Sequence, residues 1–219
     1  MANFDADIGG LILASGSPRR KQILSLLDIP FQVMIPEGEE KAGDLPPEEL
    51  VKVLSAQKGR EIAEKLRQQE IDITQGKATL ILAADTVVAL EGEVFGKPKD
   101  RQDAERMLMR LSGREHEVFT GVYITCVNAD APDTEPAPFP ISFADRTLVR
   151  FVKLDKEEIH RYTATKEPYD KAGAYAVQGL FAPYIEGLHG DYYNVMGLPL
   201  SAICQQLKKA GVDLSRLKN

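Results

Sequence analysis

The chain has 219 residues, 43% of them hydrophobic, and a net charge of −6. A chain of this length buries roughly 70% of its unfolded surface, so its core needs no disulfide or metal to fold. The acidic balance argues against a nucleic-acid partner, which usually requires a basic face. The acidic start at residues 1–7 and the short apolar run after it predict neither a signal peptide nor a membrane span. Cys126 and Cys204 form no metal-binding pair and, as two ordinary thiols, favour a reducing, cytoplasmic location.

The hydrophobic pattern predicts a mixed α/β order of elements. Strands are expected at Leu11–Ala14, Phe31–Ile35, Leu80–Ala84 with Val87–Leu90, Val118–Val127, Thr147–Val152 and Tyr175–Val177. Helices are expected at residues 18–28, 47–69, 101–111, 155–164 and 199–209. A capping-box signature at Asp155 and Glu158 begins the fourth helix, and residues 90–94 are typical of a hairpin tip. Gly113 and Gly211 are expected to end the third and last helices.

The stretch at residues 128–141 has an unusual composition, because four prolines stand among alanine and acidic residues. Such a segment is either a linker between domains or a long surface loop. Since predicted strands flank it closely on both sides, we expect a long exposed hairpin loop.

A Ser-Gly-Ser-Pro-Arg-Arg segment places two arginines at the start of a helix. Ser17 is a good N-cap and Pro18 suits the first helical position, so Arg19 and Arg20 lie in the first turn. Cations at this positive end of the helix dipole cost up to about 1 kcal/mol unless an anion offsets them. Free backbone N–H groups, the hydroxyls of Ser15 and Ser17 and two guanidiniums together predict a phosphate site.

Three more residues are candidates for the same site. Asp85 follows the apolar run at residues 80–84, so we expect its carboxylate at the carboxyl end of a buried strand, where α/β proteins bind ligands. The alternative is a turn-forming residue next to Thr86. Lys58 lies in the centre of an apolar helical stripe and either extends to the rim or projects into a cleft. Lys97 follows a strand and a turn and would approach the same phosphate.

An acidic run, Glu37, Glu39 and Glu40, follows the second predicted strand. Such a run is often a solvated loop. The alternative is a site for a hard metal ion, because Mg²⁺ on a nucleotide is usually held by one or two carboxylates together with phosphate oxygens. One of these glutamates with Asp85 would supply those carboxylates.

The segment at residues 170–179 contains glycines, other small residues and Gln178. The amide of Gln178 offers both a donor and an acceptor, which suits the edge of a nucleobase. The three histidines, His116, His160 and His189, are scattered and have no serine or cysteine partner in a recognisable nucleophile motif. We expect them to be surface or structural residues.

Five separated segments resemble the Maf family of nucleoside triphosphate pyrophosphatases, also called septum-formation proteins. The segments are Leu13–Arg20, Glu39–Glu40, Lys58 in its helix, Ala84–Val88 with Gly96–Pro98, and Asp170–Tyr175 with Gln178–Gly179. The resemblance covers about residues 10–208 and implies a single domain over residues 1–219 with the Maf, or inosine-triphosphatase-like, fold. That α/β fold has a mixed twisted sheet with flanking helices and two lobes around a central cleft. The proline-rich loop lies away from every motif.

The resemblance also implies roles for individual residues. Asp85 would be the catalytic acidic residue, assisted by Glu40, and both would hold a divalent cation, Mg²⁺ or Mn²⁺. Lys58 and Lys97 would contact phosphates as part of the catalytic set. The expected substrate-binding residues are Ser15, Ser17, Arg19, Arg20, Thr86, Asp170, Lys171 and Gln178. Asp85 would activate a water for attack on the α-phosphorus, releasing pyrophosphate and a nucleoside monophosphate.

Three of these residues separate substrate branches of the family. The branch that acts on 7-methyl-GTP typically has Trp, Gln and Glu where this chain has Arg19, Thr86 and Gln178. All three match the branch that hydrolyses dTTP and UTP, often with modified pyrimidine triphosphates, so Gln178 and Thr86 would read the uracil or thymine edge. This activity suggests a role in nucleotide-pool sanitising and cell division arrest, in a homodimer. The alternatives are the 7-methyl-GTP branch and a non-catalytic nucleotide-binding regulator of septum formation.

Overall fold

The computed structural model describes residues 8–68, 77–128 and 138–218. The strands are β1 (Ile8–Ala14), β2 (Gln32–Met34), β3 (Ala78–Leu90), β4 (Glu93–Phe95), β5 (Glu115–Val127), β6 (Ile141–Phe151) and β7 (Ile185–His189). The α-helices are α1 (Pro18–Ser25), α2 (Pro47–Gln68), α3 (Arg101–Leu111), α4 (Lys156–Thr163), α5 (Tyr192–Met196) and α6 (Leu200–Lys209). Short 3-10 helices lie at Glu167–Asp170, Ala172–Ala174, Ala182–Tyr184 and Leu214–Lys218.

The described strands form one mixed sheet in the order β2-β1-β3-β5-β6-β7, and β4 pairs with β3 off this path. β1 is parallel to both of its neighbours, β2 and β3, whereas the other pairs are antiparallel. The expected mixed α/β fold is therefore confirmed. No helix in the described ranges has the length and apolar character that a membrane crossing requires.

One face of the sheet is covered by α2, and two glycines let this helix lie very close to it. A Cβ atom on Gly121 would be 2.2 Å from the main-chain oxygen of Val51. A Cβ atom on Gly59 would be 2.4 Å from the ring of Tyr123. Since only glycine lacks that atom, both positions allow the close approach. It brings Lys58, next to Gly59, within reach of β3.

The opposite face carries two separate apolar clusters. One packs α1 and α6 against β1, β3 and β5, with Leu24 and Leu207 buried in it. The other packs α3 and α4 against the far parts of β3, β5 and β6, with Leu108 and Ile159 buried in it. These two clusters are the cores of the two expected lobes, and β3 runs through both.

The five predicted helices are confirmed, with α1 ending at Ser25 rather than at residue 28. The Asp155 capping box is present, and the hairpin tip lies at residues 91 and 92, both of which have positive φ. Gly113 and Gly211 follow α3 and α6 with φ of 67° and 80°. Residues 1–7 and, in the predicted proline-rich loop, residues 129–137 lie outside the described part of the chain.

The predicted strand at Tyr175–Val177 is wrong. This run is apolar because Tyr175 and Ala176 are buried against the core. It comes directly after the 3-10 helix at Ala172–Ala174, and its backbone pairs with none of the described strands. The structure instead has β7 at the sheet edge. β7 escaped prediction because it is largely exposed and contains Gly187, so it lacks an alternating apolar pattern.

Candidate active site

A gap along one edge of β3 opens a cleft. β1 pairs with this edge as far as Ala83, and β4 pairs with it from Val88, so neither covers residues 84–87. Asp85 was expected at the end of a strand, but it lies in the middle of β3, because the two predicted strands are one. The strand that ends here is the neighbour, β1, and its end exposes Asp85 to ligands.

The cleft has a volume of about 860 Å³. Its walls contain every site residue that the sequence predicts. These residues are Ser15, Ser17, Arg19, Arg20, Glu40, Lys58, Asp85, Thr86, Lys97, Asp170, Lys171 and Gln178. Their roles remain predictions, but segments that are far apart in sequence meet in one cavity.

The α2 side of the cleft carries an ion-paired group of three side chains. Lys58 Nζ donates to Asp85 Oδ1 and lies 2.9 Å from Glu40 Oε1. Lys58 and Asp85 are mostly buried, so pairing offsets the cost of removing both charges from water. Lys58 therefore projects into the cleft and does not extend to the rim.

The acidic loop after β2 is docked on α2. The main-chain N–H groups of Glu37 and Gly38 donate to Glu61 over 2.8 and 3.0 Å. Glu37 contacts Lys65 and Glu39 contacts Lys41, both near the surface, and Glu40 alone of the three glutamates lines the cleft. Glu37 and Glu39 therefore lie on a solvated loop, whereas the metal-binding role of Glu40 stays a prediction.

Arg20, which belongs to α1, lies on the other face of β3 and contacts it there. Its Nε donates to the carbonyl of Gly197 over 2.8 Å, and its two terminal nitrogens donate to Ser15 Oγ and Thr86 Oγ1 over 3.3 and 3.0 Å. Burial lowers the pKa of Arg20, and the nearby Asp85 charge partly offsets this. Ser17 is the N-cap of α1, as predicted, and accepts from the main-chain N–H of Arg20. These bonds fix the guanidinium at the start of α1.

Asp85 and Thr86 serve the two sides of the cleft, because successive strand residues point to opposite faces of a sheet. Thr86 Oγ1 lies 3.0 Å from Thr120 Oγ1 on β5. Sequence reasoning missed Thr120. Its only signal is a hydroxyl within a strand that is buried along most of its length. The partner of that hydroxyl depends on the fold, so the sequence alone could not identify it.

The third wall comes from the segment after α4. Arg19 Nη1 lies 3.1 Å from Asp170 Oδ2, and Lys171 Nζ donates to Asp170 Oδ1 over 2.5 Å. Burial alone would raise the pKa of Asp170, but the hydrogen bonds from Lys171 and Arg19 outweigh it and lower the pKa below its ordinary value. Gln178 and Lys97 are exposed at the mouth of the cleft.

The charged residues of the cleft are five bases and three acids. The bases are Arg19, Arg20, Lys58, Lys97 and Lys171, and the acids are Glu40, Asp85 and Asp170. The cleft is therefore locally positive in a chain whose net charge is −6. This excess suits an anion with several phosphate groups.

The carboxylates fit a metal ion that a nucleotide brings with it. Asp85 and Glu40 both contact one ammonium group, so they lie close enough to share a cation. Mg²⁺ usually takes one or two carboxylates together with phosphate oxygens, which these two residues would match. No group of three or more metal-ligating side chains occurs in the described residues, so a site made of protein ligands alone finds no support there.

The histidines occupy structural or surface positions, as predicted. His116 is buried behind the cleft, where its Nε2 lies 3.0 Å from the hydroxyl of Tyr175. Burial lowers the pKa of His116 from 6.5 to about 3. His160 and His189 are exposed. None of the three lines the cleft.

Fold and cleft together define an α/β protein whose cation-rich cleft suits a polyphosphate. A family model described as Maf-like protein matches residues 10–210, which is most of the chain. The chain therefore belongs to the Maf family, as its motifs indicated.

Curated relatives cover nearly all of the chain. A dTTP/UTP pyrophosphatase of Agathobacter rectalis is 42% identical over 93% of this chain and 98% of its own length. Proteins of the same name are 43% identical in Lachnoclostridium phytofermentans and 38% identical in Bacillus cereus, over 93% and 94% of this chain and 96% and 97% of their own. A nucleoside-triphosphatase / dITP/XTP pyrophosphatase structure from Mycobacterium abscessus aligns over 92% of this chain and 94% of its own, at 13% identity and a TM-score of 0.40. The family assignment rests on the sequence matches.

Proposed function

We propose that this Maf protein is a nucleoside triphosphate pyrophosphatase that converts dTTP and UTP to the monophosphate and pyrophosphate. The observation that carries the proposal is that Asp85, paired with Lys58, and Arg20, at the start of α1, line one cation-rich cleft. Relatives at 38% to 43% identity that are named dTTP/UTP pyrophosphatase support this choice of substrate.

The basic residues bind and orient the triphosphate. The guanidinium of Arg20 is already held by three hydrogen bonds, which use three of its five N–H donors. The other two donors remain for an anion beside the first turn of α1, where the helix dipole favours negative charge. Arg19, Lys97 and Lys171 add charge around the same volume. Cations fixed in advance in this way commonly stabilise a phosphoryl transition state by several kcal/mol.

Asp85 acts on the attacking water. A bond forms between the water oxygen and the α-phosphorus, the bond from that phosphorus to the bridging oxygen breaks, and pyrophosphate leaves. The carboxylate of Asp85 takes the water proton, and Lys58 and Glu40 keep that carboxylate in place. A divalent cation, Mg²⁺ or Mn²⁺, would be held by Asp85 and Glu40 and would supply charge neutralisation and Lewis acidity when bound.

Gln178 and Thr86 are the proposed contacts to the base. The Gln178 side chain has both a donor and an acceptor, so it complements a carbonyl and an adjacent N–H on a pyrimidine edge. Thr86 lies on the Arg20 side of the cleft. A pocket that hydrogen-bonds the base edge rejects other bases because its own polar groups are then left unpaired.

A substrate panel tests the proposal. Pyrophosphate release from UTP, dTTP, CTP and 7-methyl-GTP is measured side by side with Mg²⁺ present. We expect UTP and dTTP to give the highest kcat/KM. A clear preference for 7-methyl-GTP would contradict the substrate assignment, and the absence of pyrophosphate release from all four would contradict the activity.

We also propose that residues 1–219 act as one domain, as a cytoplasmic homodimer without a nucleic-acid partner. One sheet carries both lobes, which supports a single domain. Cysteines that form no disulfide, as is the case for Cys126 and Cys204, are typical of a reducing compartment. Sedimentation analysis of the purified protein tests the dimer.

A further inference from the structure

A line of hydrogen bonds runs from the cleft into the core through two threonine hydroxyls. Arg20 Nη2 donates to Thr86 Oγ1, which lies 3.0 Å from Thr120 Oγ1. Thr120 Oγ1 in turn donates to the main-chain carbonyl of Asn194 over 2.9 Å. Both Thr120 and Asn194 have an exposure of 0%, so a substrate would touch neither of them.

The donors and acceptors at the two ends give this line one direction. A carbonyl only accepts, so the single proton of the Thr120 hydroxyl is used at Asn194. A guanidinium only donates, so Thr86 accepts from Arg20. In the bond between the two hydroxyls, Thr86 is therefore the donor and Thr120 the acceptor. The proton of Thr86 points into the core, away from the cleft.

The inner end of the line is firmly held. The side chain of Asn194 donates to the carbonyl of Val118 over 3.0 Å and to Thr147 Oγ1 over 2.9 Å. Thr147 Oγ1 also accepts from the main-chain N–H of Asp191, the N-cap residue of α5. These bonds fix α5 against β5 and β6, and so they fix the carbonyl that orients Thr120.

We propose that Thr120 is a positioning residue for substrate choice, because it makes Thr86 a pure acceptor toward the cleft. A hydroxyl oxygen accepts two hydrogen bonds, and Arg20 uses one of them, which leaves one for the ligand. Uracil and thymine carry an N–H at ring position 3, whereas cytosine carries a bare nitrogen there. The cleft therefore favours uracil and thymine over cytosine. This inference rests on the proposed function, since it requires a pyrimidine ring beside Thr86.

The variant Thr120→Val tests the inference because it keeps the side-chain shape and removes the acceptor. The Thr86 proton then loses its inner partner and is free to turn toward the cleft, where it can meet the cytosine nitrogen. We expect the ratio of kcat/KM for UTP over CTP to fall about tenfold, the order expected when one hydrogen bond to the base is lost for UTP and one is gained for CTP. Most of the change should lie in KM. The variant Thr120→Ser restores an acceptor and should keep the wild-type ratio.

Two further variants separate this effect from a loss of stability. Thr86→Val removes the hydroxyl that Thr120 orients. The double variant Thr86→Val/Thr120→Val should therefore have the same UTP-over-CTP ratio as Thr86→Val alone. Two independent structural defects would instead combine. Thr125→Val is the matched control, because Thr125 is also a fully buried threonine of β5. This control should keep the wild-type ratio.

The dissociation constants of UTP and CTP, measured in EDTA by calorimetry, give a second readout that needs no turnover. If the wild type hydrolyses UTP and Thr120→Val keeps the wild-type ratio, the inference is overturned and the proposed function stands. If the wild type binds both nucleotides but hydrolyses neither, the proposed function fails, and the ratio of dissociation constants decides the inference. Binding of neither nucleotide would overturn both.

Discussion

Lys58 and Asp85 form an ion pair at the base of the cleft, where their side chains are only 16% and 12% exposed. Lys58 comes from α2, and Asp85 comes from the middle of β3, 27 positions later in the chain. Removing one partner of such a pair leaves the other charge poorly compensated. The pair therefore links the carboxylate that we propose as the catalytic base to the packing of α2 on the sheet.

Replacing Asp85 with Asn removes the proposed base and keeps the size of the side chain. We expect kcat for UTP to fall by about 10²- to 10⁴-fold, the usual contribution of a general base. Pyrophosphate release under saturating UTP and Mg²⁺ measures it. Asp44→Asn is the control, because Asp44 is an exposed aspartate that does not line the cleft. Near-wild-type hydrolysis by Asp85→Asn would show that Asp85 has another role.

The ion pair also predicts a coupling in stability between Lys58 and Asp85. Lys58→Met, Asp85→Asn and the double variant form a cycle of urea unfolding measurements. We expect the double variant to be more stable than the sum of the single changes predicts, by about 0.5–3 kcal/mol, because each single change leaves the remaining charge less well compensated, even though Lys58 also contacts Glu40. Strict additivity would mean that the pair adds nothing to the fold.

Lys97 and Lys99 allow a matched test of the cleft charge. Both are exposed lysines in the same loop, but Lys97 alone of the two lines the cleft. Lys97→Ala should raise KM for UTP about tenfold or more, since a charge-assisted hydrogen bond contributes roughly 1.5–3 kcal/mol. Lys99→Ala removes the same charge and should leave KM unchanged. Equal effects from both variants would indicate only a general loss of positive charge.

All twelve site residues that the sequence predicts line the cleft. Some, such as Ser17 and Asp85, belong to short segments with a local signal, and others, such as Thr86 and Lys171, were implied by the family resemblance. The Ser17 cap before two arginines is a local pattern that indicates an anion without any tertiary information. The run before Asp85 similarly marks a buried strand. The signals failed where the backbone depends on distant partners. Asp85 lies within β3 because β5 pairs with that strand throughout, and nothing near Asp85 in the sequence reports β5.

The contacts within the cleft were beyond sequence analysis. Arg19 and Arg20 are neighbours in the chain, yet Arg19 contacts Asp170 whereas Arg20 contacts Thr86. Which arginine reaches which wall depends on the packing of α1 against the sheet. The same applies to Thr120, whose partners, Thr86 on β3 and Asn194 in α5, lie far from it in the sequence.

His116 gives the fold a predictable dependence on pH. Its side chain is 1% exposed, and burial lowers its pKa from 6.5 to about 3. Below about pH 6.5 the unfolded chain takes up a proton at this histidine that the folded chain does not. The free energy of unfolding therefore decreases as the pH is lowered from about 6.5 to 3, and it is unaffected by this residue above that range. At pH 5 this contribution amounts to about 2 kcal/mol relative to pH 7. His116→Gln keeps a donor for Tyr175 but does not titrate. Between pH 7 and pH 5 its free energy of unfolding should therefore decrease by about 2 kcal/mol less than that of the wild type. Urea unfolding of both proteins at pH 5, 6, 7 and 8 measures the difference, and parallel curves would show that His116 does not stay neutral in the fold.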